Sequence, residues 1–349
     1  MTLPRIHIGR PQRLAALLLL AFFAECLWIV AHQPLASAVV CLHGDGIFAQ
    51  RVVELPLAAL HLAHCDSARA TLFLLHVPFA LFAAWMGGGL WWVSRRLFGN
   101  EGGFFALALY CFCPAVLRMA TTPNNDLLAV WGLYGLVYTA MGVAHAMQSP
   151  RRKWRPRIAL LTLALGLTAA AHLLAAVAGL LAAIAFMMYL AEGRRKTALQ
   201  ILAFAAMGAL AILFAAYGFH PAALRFALPG GAMRLSLAGP QSFANNKANL
   251  PILIATGVAA LLYLGTRRSR YFGNTAPLLM VFALAPLAVG SQIASAPWLW
   301  ALPFLFTFLG GVFADALETS KRNLFLVLVG AILSAQAVFC LAALPSLAR

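Results

Sequence analysis

Long apolar runs alternate with short polar or basic segments along the whole chain. The clearest runs are about 20 residues long, which is the length an α-helix needs to cross the hydrocarbon core of a bilayer. The period-two alternation of an outer-membrane barrel is absent. The pattern therefore predicts an all-α polytopic membrane protein, whose backbone polar groups are satisfied within helices. We expect about eleven transmembrane helices, near residues 14–31, 71–93, 103–120, 127–147, two short helices in 158–191, 197–217, 249–265, 275–290, 298–316 and 324–346.

Two longer segments, residues 32–70 and 218–248, separate some of these runs. Within the first, the stretch Ile47–Leu62 has apolar residues on one side of a helix and polar residues such as Glu54 on the other. That amphipathic pattern is typical of helices that lie in the membrane interface. No segment has the length or polarity of a soluble domain, so we expect residues 1–349 to form a single transmembrane domain.

The apolar stretch 158–191 is too long for one ordinary span and too short for two full ones. Basic clusters flank it at residues 151–157 and 194–196. If both clusters face the cytoplasm, the stretch must be a hairpin of two short helices. His172 would then lie at or near the outer tip.

The basic residues predict the orientation of the chain. There are 25 Lys and Arg against 9 Asp and Glu, and the formal net charge is +16. The cations occur in short clusters between apolar runs, which is the pattern of topogenic signals rather than of a nucleic-acid surface. With eleven spans and a cytoplasmic N-terminus, 18 of the 25 fall on the cytoplasmic side. We expect a protein of the bacterial inner membrane with an outer C-terminus, a retained first helix and no nucleic-acid partner.

Composition excludes a soluble protein. Sixty-three per cent of the residues are hydrophobic, 10% are charged and the mean hydropathy is +0.87, whereas soluble domains have about 25% charged residues. Among the six cysteines, Cys111 and Cys113 lie in an apolar run without histidine partners, so we expect no metal site there. Cys41 and Cys65 share the outer side, where either a disulfide or two half-buried thiols would fit.

Three carboxylates are the candidates for chemistry. Asp45 lies in the stretch His43-Gly-Asp-Gly46 on the predicted outer side, where it is either a functional group or a turn residue. Asp126 ends a polar turn before a predicted helix, and capping that helix is its alternative role. Glu25 lies inside the first apolar run, where a carboxylate suggests function unless a neighbouring helix satisfies it by hydrogen bonding.

Residues 95–131 carry a resemblance to a known family. They read RRLFGNEGGFFALALYCFCPAVLRMATTPNNDLLAVW: a basic inner turn with Leu-Phe-Gly, an apolar helix ending near a proline, an outer turn ending in Asp126 and another helix. This arrangement resembles the polytopic GT-C glycosyltransferases of family 39, which include protein O-mannosyltransferases and aminoarabinose transferases of lipid A. The acid in the first outer loop and the short hairpin fit the same family. The resemblance is best over residues 1–190.

The resemblance implies a GT-C-like fold and a membrane glycosyltransferase. Such enzymes transfer a sugar from a polyprenyl-phosphate donor to a lipid, glycan or protein acceptor on the outer face of the membrane. By that resemblance Asp45 is the general base or the ligand of a divalent metal, Mg²⁺ or Mn²⁺. Asp126 matches a second acid, which positions the first loop or the acceptor. The expected partners are the polyprenyl-phosphate sugar and the membrane lipids.

The same resemblance bears on how the donor phosphate is bound. Many members carry a lysine at the hairpin tip, where this chain has His172, and His43 adjoins the first acid. Arg225, Arg234 and Lys247 of the second outer loop are candidates for the missing positive charge, since guanidinium groups suit phosphate. A solvated face or contact with lipid headgroups is the alternative for these three cations.

Two other functions stay open from the sequence. A transporter or flippase of a lipid-linked substrate would more often pair charges in mid-membrane and use broken helices there. Here the acids gather at one face, and Glu25 is the exception. A non-catalytic GT-C-like partner protein would also fit, because Gly46 stands where many members of the family keep a second acid.

Overall fold

The computed structural model describes residues 9–34, 58, 67–123, 125–148, 155–219, 233–234, 238–266, 290–291 and 297–348. Nearly all of these residues are helical, and one antiparallel pair of two-residue strands, β1 (Met233–Arg234) and β2 (Gly290–Ser291), joins two connecting segments. Short 3₁₀ helices precede two of the α-helices, at Lys247–Asn249 and Pro297–Ala301. The α-helices are α1 (Arg10–His32), α2 (Ala68–Cys111), α3 (Pro114–Ala120), α4 (Asn125–Met147), α5 (Arg155–Ala171), α6 (Leu173–Leu190), α7 (Arg195–Ala216), α8 (Ala238–Asn245), α9 (Leu250–Thr266), α10 (Leu302–Leu317) and α11 (Arg322–Leu347).

Eight helices among the described residues are long and apolar enough to cross a membrane. They are α1, α2, α4, α6, α7, α11 and the two α-helices that follow the 3₁₀ helices. The chain is therefore an integral, polytopic α-helical membrane protein. The predicted interfacial helices at 47–62 lie outside the described residues except for Ala58, and the predicted span 275–290 lies outside them entirely.

Helix α2 is two antiparallel limbs, 68–98 and 100–111, that meet at Gly99. The Tyr110 hydroxyl donates to the Ala83 carbonyl over 2.7 Å, although 27 residues of straight helix would separate them by about 40 Å. A Cβ on Gly103 would lie 2.8 Å from the Cβ of Arg95. The turn with Leu97-Phe-Gly99 noted in the sequence is therefore present as a reversal between two helical limbs.

Gly99 makes this reversal sterically accessible. Its backbone has φ 80° and ψ −177°, a region that is essentially restricted to glycine.

Replacing Gly99 with Ala should lower the free energy of unfolding by about 1–3 kcal/mol, because the side chain strains this conformation. Thermal unfolding of the purified protein measures the loss. Gly257→Ala is the control, since a Cβ there meets nothing within 4 Å. Equal stability of the two variants would contradict the role given to Gly99.

The predicted span 103–120 is not one continuous helix. Limb 100–111 ends at Cys111, and α3 begins at Pro114. Proline lacks an N–H and its ring clashes with the preceding turn, so a helix breaks at this point. The side chain of Gln336 on α11 donates to the Phe112 carbonyl over 2.6 Å and to the Ala248 carbonyl over 3.1 Å. Through these two hydrogen bonds, the buried side chain of Gln336 connects the residues between the two helices to the 3₁₀ turn before α9.

The two short helices predicted in 158–191 are present as α5 and α6, and His172 is the single residue between them. Both helices pack on α4, and α5 also packs on α7. Glycines allow these close approaches: a Cβ on Gly132 would collide with Thr168, and one on Gly179 would collide with Leu136. Small residues at helix crossings are the usual means of close packing in membranes.

In the part of the chain that the structure describes, the helix ends and short connections gather at two opposite ends of the bundle. At the Trp300 end, the ends of α1 and α3 lie with the starts of α2 and α9, with His172 and with the 3₁₀ helix Pro297–Ala301. At the Arg96 end, the Gln148 side chain donates to the Leu190 carbonyl and the Arg194 side chain donates to the Met147 carbonyl. Each contact joins segments that the eleven-span pattern assigns to the same side of the membrane.

Candidate functional site

A cavity of about 310 Å³ opens at the Trp300 end. We call it the Arg118 cavity, after the charged side chain in its wall. It lies between α3, the segment from α8 to α9, the 3₁₀ helix Pro297–Ala301 and the last turn of α11. Within the described part of the chain, none of its lining residues is Asp or Glu. They are Pro114, Ala115, Arg118, Met119, Thr122, Ser242, Phe243, Asn246, Asn249, Trp298, Leu299 and Leu347.

The polar side of the cavity is built from short segments rather than from long helices. Arg118 is exposed on α3, and the break at Pro114 separates that helix from the limb before it. The Thr122 hydroxyl donates to the Arg118 carbonyl over 2.8 Å, which closes the end of α3. The Asn246 side chain accepts from the Ala248 N–H over 3.0 Å, so it caps the 3₁₀ turn and leaves its own NH₂ group available to a ligand.

Asn249 is a buried polar residue in the cavity wall. Its side chain is only 1% exposed, and its Nδ2 donates to the Phe243 carbonyl over 3.0 Å. The Oδ1 atom is buried without a hydrogen-bond partner among the described residues. A buried amide oxygen left without a donor costs about 1–3 kcal/mol. A bound hydroxyl or amide donor would offset that cost.

The 3₁₀ helix Pro297–Ala301 connects the cavity to two predicted site residues. Its Trp298 lines the cavity and packs against Phe243 with ring centroids 5.3 Å apart. Its Trp300 meets the His172 ring edge-on, with centroids 4.9 Å apart. The same 3₁₀ helix packs against α4, whose first turn carries Asp126. The 3₁₀ helix Pro297–Ala301 therefore contacts both the hairpin junction at His172 and helix α4, and it also lines the cavity.

Burial lowers the pKa of the His172 imidazole below its ordinary value. The neutral ring is therefore favoured at neutral pH. A neutral His172 ring lacks the fixed positive charge of the lysine that many members of the resembling family carry at this position. Among the residues that line the cavity, Arg118 is the one with a fixed positive charge.

The described residues on both sides of the segment that contains Asp45 lie beside the same cavity. Before it, the Gln33 side chain donates to the Thr121 carbonyl over 3.5 Å. After it, Arg69 donates to the Ala31 and Gln33 carbonyls over 3.1 and 3.3 Å. The buried His76 of α2 also contacts the Thr121 carbonyl. Thr121 immediately precedes Thr122 of the cavity wall, so both ends of the segment are anchored next to the cavity.

The remaining predicted site residues divide into three groups. His43, Asp45 and Arg225 lie outside the described residues. Arg234 is described through its backbone in β1, which pairs with Gly290 of β2. Lys247 is exposed and starts the 3₁₀ turn between the cavity residues Asn246 and Asn249.

Asp126 is the second residue of α4 and is only 8% exposed. Asp126 therefore lies within the first turn of α4, one position after its first residue. A carboxylate in the first turn is favoured by the helix dipole.

Arg118 and the asparagines were missed as site residues by the sequence reasoning, although the signal for Arg118 was present. It is one of the few cations that the charge pattern assigns to the outer side. A cation that departs from the positive-inside bias requires another reason for its position. Asn249 gave no comparable signal, because its burial depends on the contact between α11 and the 3₁₀ turn.

Among the described residues, no group of three or more His, Cys, Asp or Glu is placed to hold a metal ion. Cys26, Cys111, Cys113 and Cys340 are buried free thiols, and Cys41 and Cys65 lie outside the described residues. Glu25 is also buried, and its Oε2 has no hydrogen-bond partner within the described part of the chain. This oxygen therefore lacks the hydrogen bond to a neighbouring helix that was one of the two alternatives for Glu25.

A search with protein-family models and a search of curated proteins both gave no match to this chain. The fold defines its class, an α-helical polytopic membrane protein.

Proposed function

We propose that the chain is a membrane glycosyltransferase of GT-C-like fold. It transfers a sugar from a polyprenyl-phosphate donor to a lipid, glycan or protein acceptor. In this proposal eleven helices cross the membrane, the N-terminus is cytoplasmic, and the Trp300 end faces the outer side. The observation that carries the proposal is the Arg118 cavity, because it combines one fixed cation with hydroxyl, amide and indole groups at one end of the bundle.

The lining of the cavity suits a phosphorylated sugar. A guanidinium group binds phosphate oxygens through paired N–H donors. The side chains of Ser242, Asn246 and Asn249 offer donors and acceptors for sugar hydroxyls. Trp298 provides an apolar face beside them. The adjoining helices α9, α10 and α11 are apolar enough to cross a membrane, so the lipid tail of the donor would lie along them.

The proposed reaction is a single displacement with inversion at the anomeric carbon. An acceptor hydroxyl oxygen forms a bond to that carbon while the bond from carbon to the phosphate oxygen breaks. Polyprenyl phosphate leaves with the electron pair, and Arg118 stabilises its charge. Asp45 takes the acceptor proton as general base, or it holds an Mg²⁺ or Mn²⁺ ion at the phosphate.

The other predicted residues have supporting roles in this proposal. Asp126 positions either the segment that contains Asp45 or the acceptor, and its helix packs on the 3₁₀ helix beside the cavity. Lys247, next to the cavity, adds positive charge for the donor phosphate. Arg225, Arg234 and His43 contact the donor or the acceptor, and His172 fixes the position of Trp300 through its ring contact.

Arg118→Gln should remove about half or more of the thermal stabilisation that a donor provides. We would screen the purified full chain with polyprenyl phosphate linked to mannose, glucose or aminoarabinose, and with polyprenyl phosphate alone. A donor at about 100 times its Kd should stabilise the protein by about 2.7 kcal/mol. Loss of a charge-assisted phosphate contact should weaken binding by about 1.5–3 kcal/mol, or roughly 10- to 150-fold.

Arg195→Gln is the matched control, because Arg195 is exposed and begins α7 at the opposite end of the bundle. It should keep the full stabilisation. If no polyprenyl-phosphate sugar stabilises the protein, the result contradicts the glycosyltransferase proposal. If a carrier binds but no sugar is transferred in membranes, a transporter or a non-catalytic partner takes its place.

A further inference from the structure

A second cavity, of about 400 Å³, lies at the Arg96 end of the bundle. It is formed by the end of the first limb of α2, the last turns of α4 and the first turn of α5. We call it the Arg96 cavity. None of its lining residues in the described part of the chain is acidic. These residues are Trp92, Arg96, Leu97, Tyr138, Thr139, Met141, Gly142, His145, Arg157 and Leu160.

Two guanidinium groups are held in this cavity by neutral partners. Arg96 lies over the Trp92 ring, with 5.5 Å from its guanidinium carbon to the ring centroid. Arg157 donates to the Gly142 carbonyl over 2.6 Å. Neither guanidinium pairs with a carboxylate in the described structure. Each arginine has five N–H donors, so most of that capacity remains for a ligand with negative charge.

The aromatic wall fixes the position of one cation. The Trp92 and Tyr138 rings meet edge-to-face, with centroids 5.5 Å apart and an interplanar angle of 79°. Trp92 belongs to α2 and Tyr138 to α4, so this contact joins the two helices beside Arg96. An arginine stacked on a ring loses less conformational entropy when it binds an anion, because the side chain is already ordered.

The same cavity has an apolar side that faces away from the protein. Trp92 is 47% exposed and Leu160 is 54% exposed. In a membrane protein, exposed apolar side chains such as these face the lipid. Tryptophan is enriched at the boundary between lipid and water. A ligand in this cavity would therefore meet cations with one part and hydrocarbon with another.

We propose that the Arg96 cavity binds the phosphate headgroup of an anionic phospholipid, with its acyl chains along Trp92 and Leu160. Basic pockets between transmembrane helices on the cytoplasmic side are suited to such headgroups. A lipid fits better than a free phosphate, since only a lipid uses the apolar wall. The site is separate from the Arg118 cavity, which shares none of its lining residues.

Thermal unfolding of the purified full chain in neutral detergent tests this proposal. Dioleoyl phosphatidylglycerol should raise the midpoint by about 5 °C at saturation. Dioleoyl phosphatidylcholine, which has the same chains and no net charge, should give little shift, and so should inorganic phosphate. Arg96→Gln should lose most of the phosphatidylglycerol shift. Lys196→Gln should keep it, because Lys196 is exposed at the same end but lies outside the cavity.

Arg157→Lys provides a second variant that retains positive charge in case the bond to Gly142 is needed for folding. It should bind phosphatidylglycerol more weakly than the wild type, because lysine lacks the guanidinium fork. Equal shifts with the two lipids would overturn the proposal, and so would a full shift in Arg96→Gln. A shift with inorganic phosphate as large as that with phosphatidylglycerol would overturn the lipid assignment.

Discussion

Asp45→Asn is expected to lower sugar transfer by about 100-fold or more, with insertion into the membrane unchanged. A positioned general base contributes roughly 10²–10⁴ in rate, and Asn can neither take the acceptor proton nor carry the charge that binds a divalent cation. Transfer from the polyprenyl-phosphate sugar that stabilises the purified protein would be measured in membranes. Donor binding would be followed separately by the thermal shift.

Asp66→Asn is the matched control for this experiment, because it removes an acid from the same connecting segment. It should retain transfer close to that of the wild type. The expected pattern for Asp45→Asn is donor stabilisation with little or no turnover if Asp45 acts as the base. If the carboxylate instead binds a metal at the phosphate, both donor binding and turnover should fall. Undiminished transfer would remove Asp45 from either role.

The apolar runs predicted most helix positions well, because membrane thickness limits helix length and lipid excludes unpaired backbone groups. The hairpin within 158–191 followed from a stronger constraint. The basic clusters at 151–157 and 194–196 were both assigned to the cytoplasmic side of the membrane, so the chain between them had to cross and return. The structure has α5 and α6 there, joined at His172. The orientation of the chain and the count of eleven spans stay predictions.

The break before α3 was missed because hydropathy does not register it. Residues on both sides of Pro114 are apolar, and only the missing N–H and the ring clash interrupt the helix. The consequence for the site is large. The break separates a seven-residue helix, α3, that carries Arg118 into the cavity wall.

The two cavities could not be derived from the sequence, because each is formed by segments far apart along the chain. Arg118 lines the same cavity as Asn249 and Trp298 only because three segments far apart in the sequence converge. In the sequence, Arg96 and Arg157 belong to basic clusters that predict the orientation of the chain, and that role requires no particular binding partner. The structure adds that they line one cavity without an acid among the described lining residues. A topogenic charge and a binding group can therefore be the same side chain.

The contact between α2 and α10 gives the second large expected effect, on folding rather than activity. These two helices pack against one another more extensively than any other pair in the described structure. At their crossing, a Cβ on Gly310 would lie 2.5 Å from the Gly102 carbonyl oxygen. One turn away, the Thr307 hydroxyl lies 2.8 Å from the Tyr134 hydroxyl and accepts from Ser94 over 3.3 Å. Close backbone approach and a buried hydroxyl network therefore depend on the same crossing.

Gly310→Ala should destabilise the protein by about 1–3 kcal/mol, because the methyl group meets a backbone oxygen and the helices must separate. Gly89→Ala is the control on α2, where a Cβ meets nothing within 4 Å. It should leave stability unchanged or raise it by up to about 1 kcal/mol, since alanine favours a helix over glycine. Thermal unfolding of both variants in the same detergent measures this difference, and Gly310→Ala should be the less stable of the two. A Gly310→Ala variant as stable as Gly89→Ala would mean that this backbone contact does not limit the approach of α2 and α10.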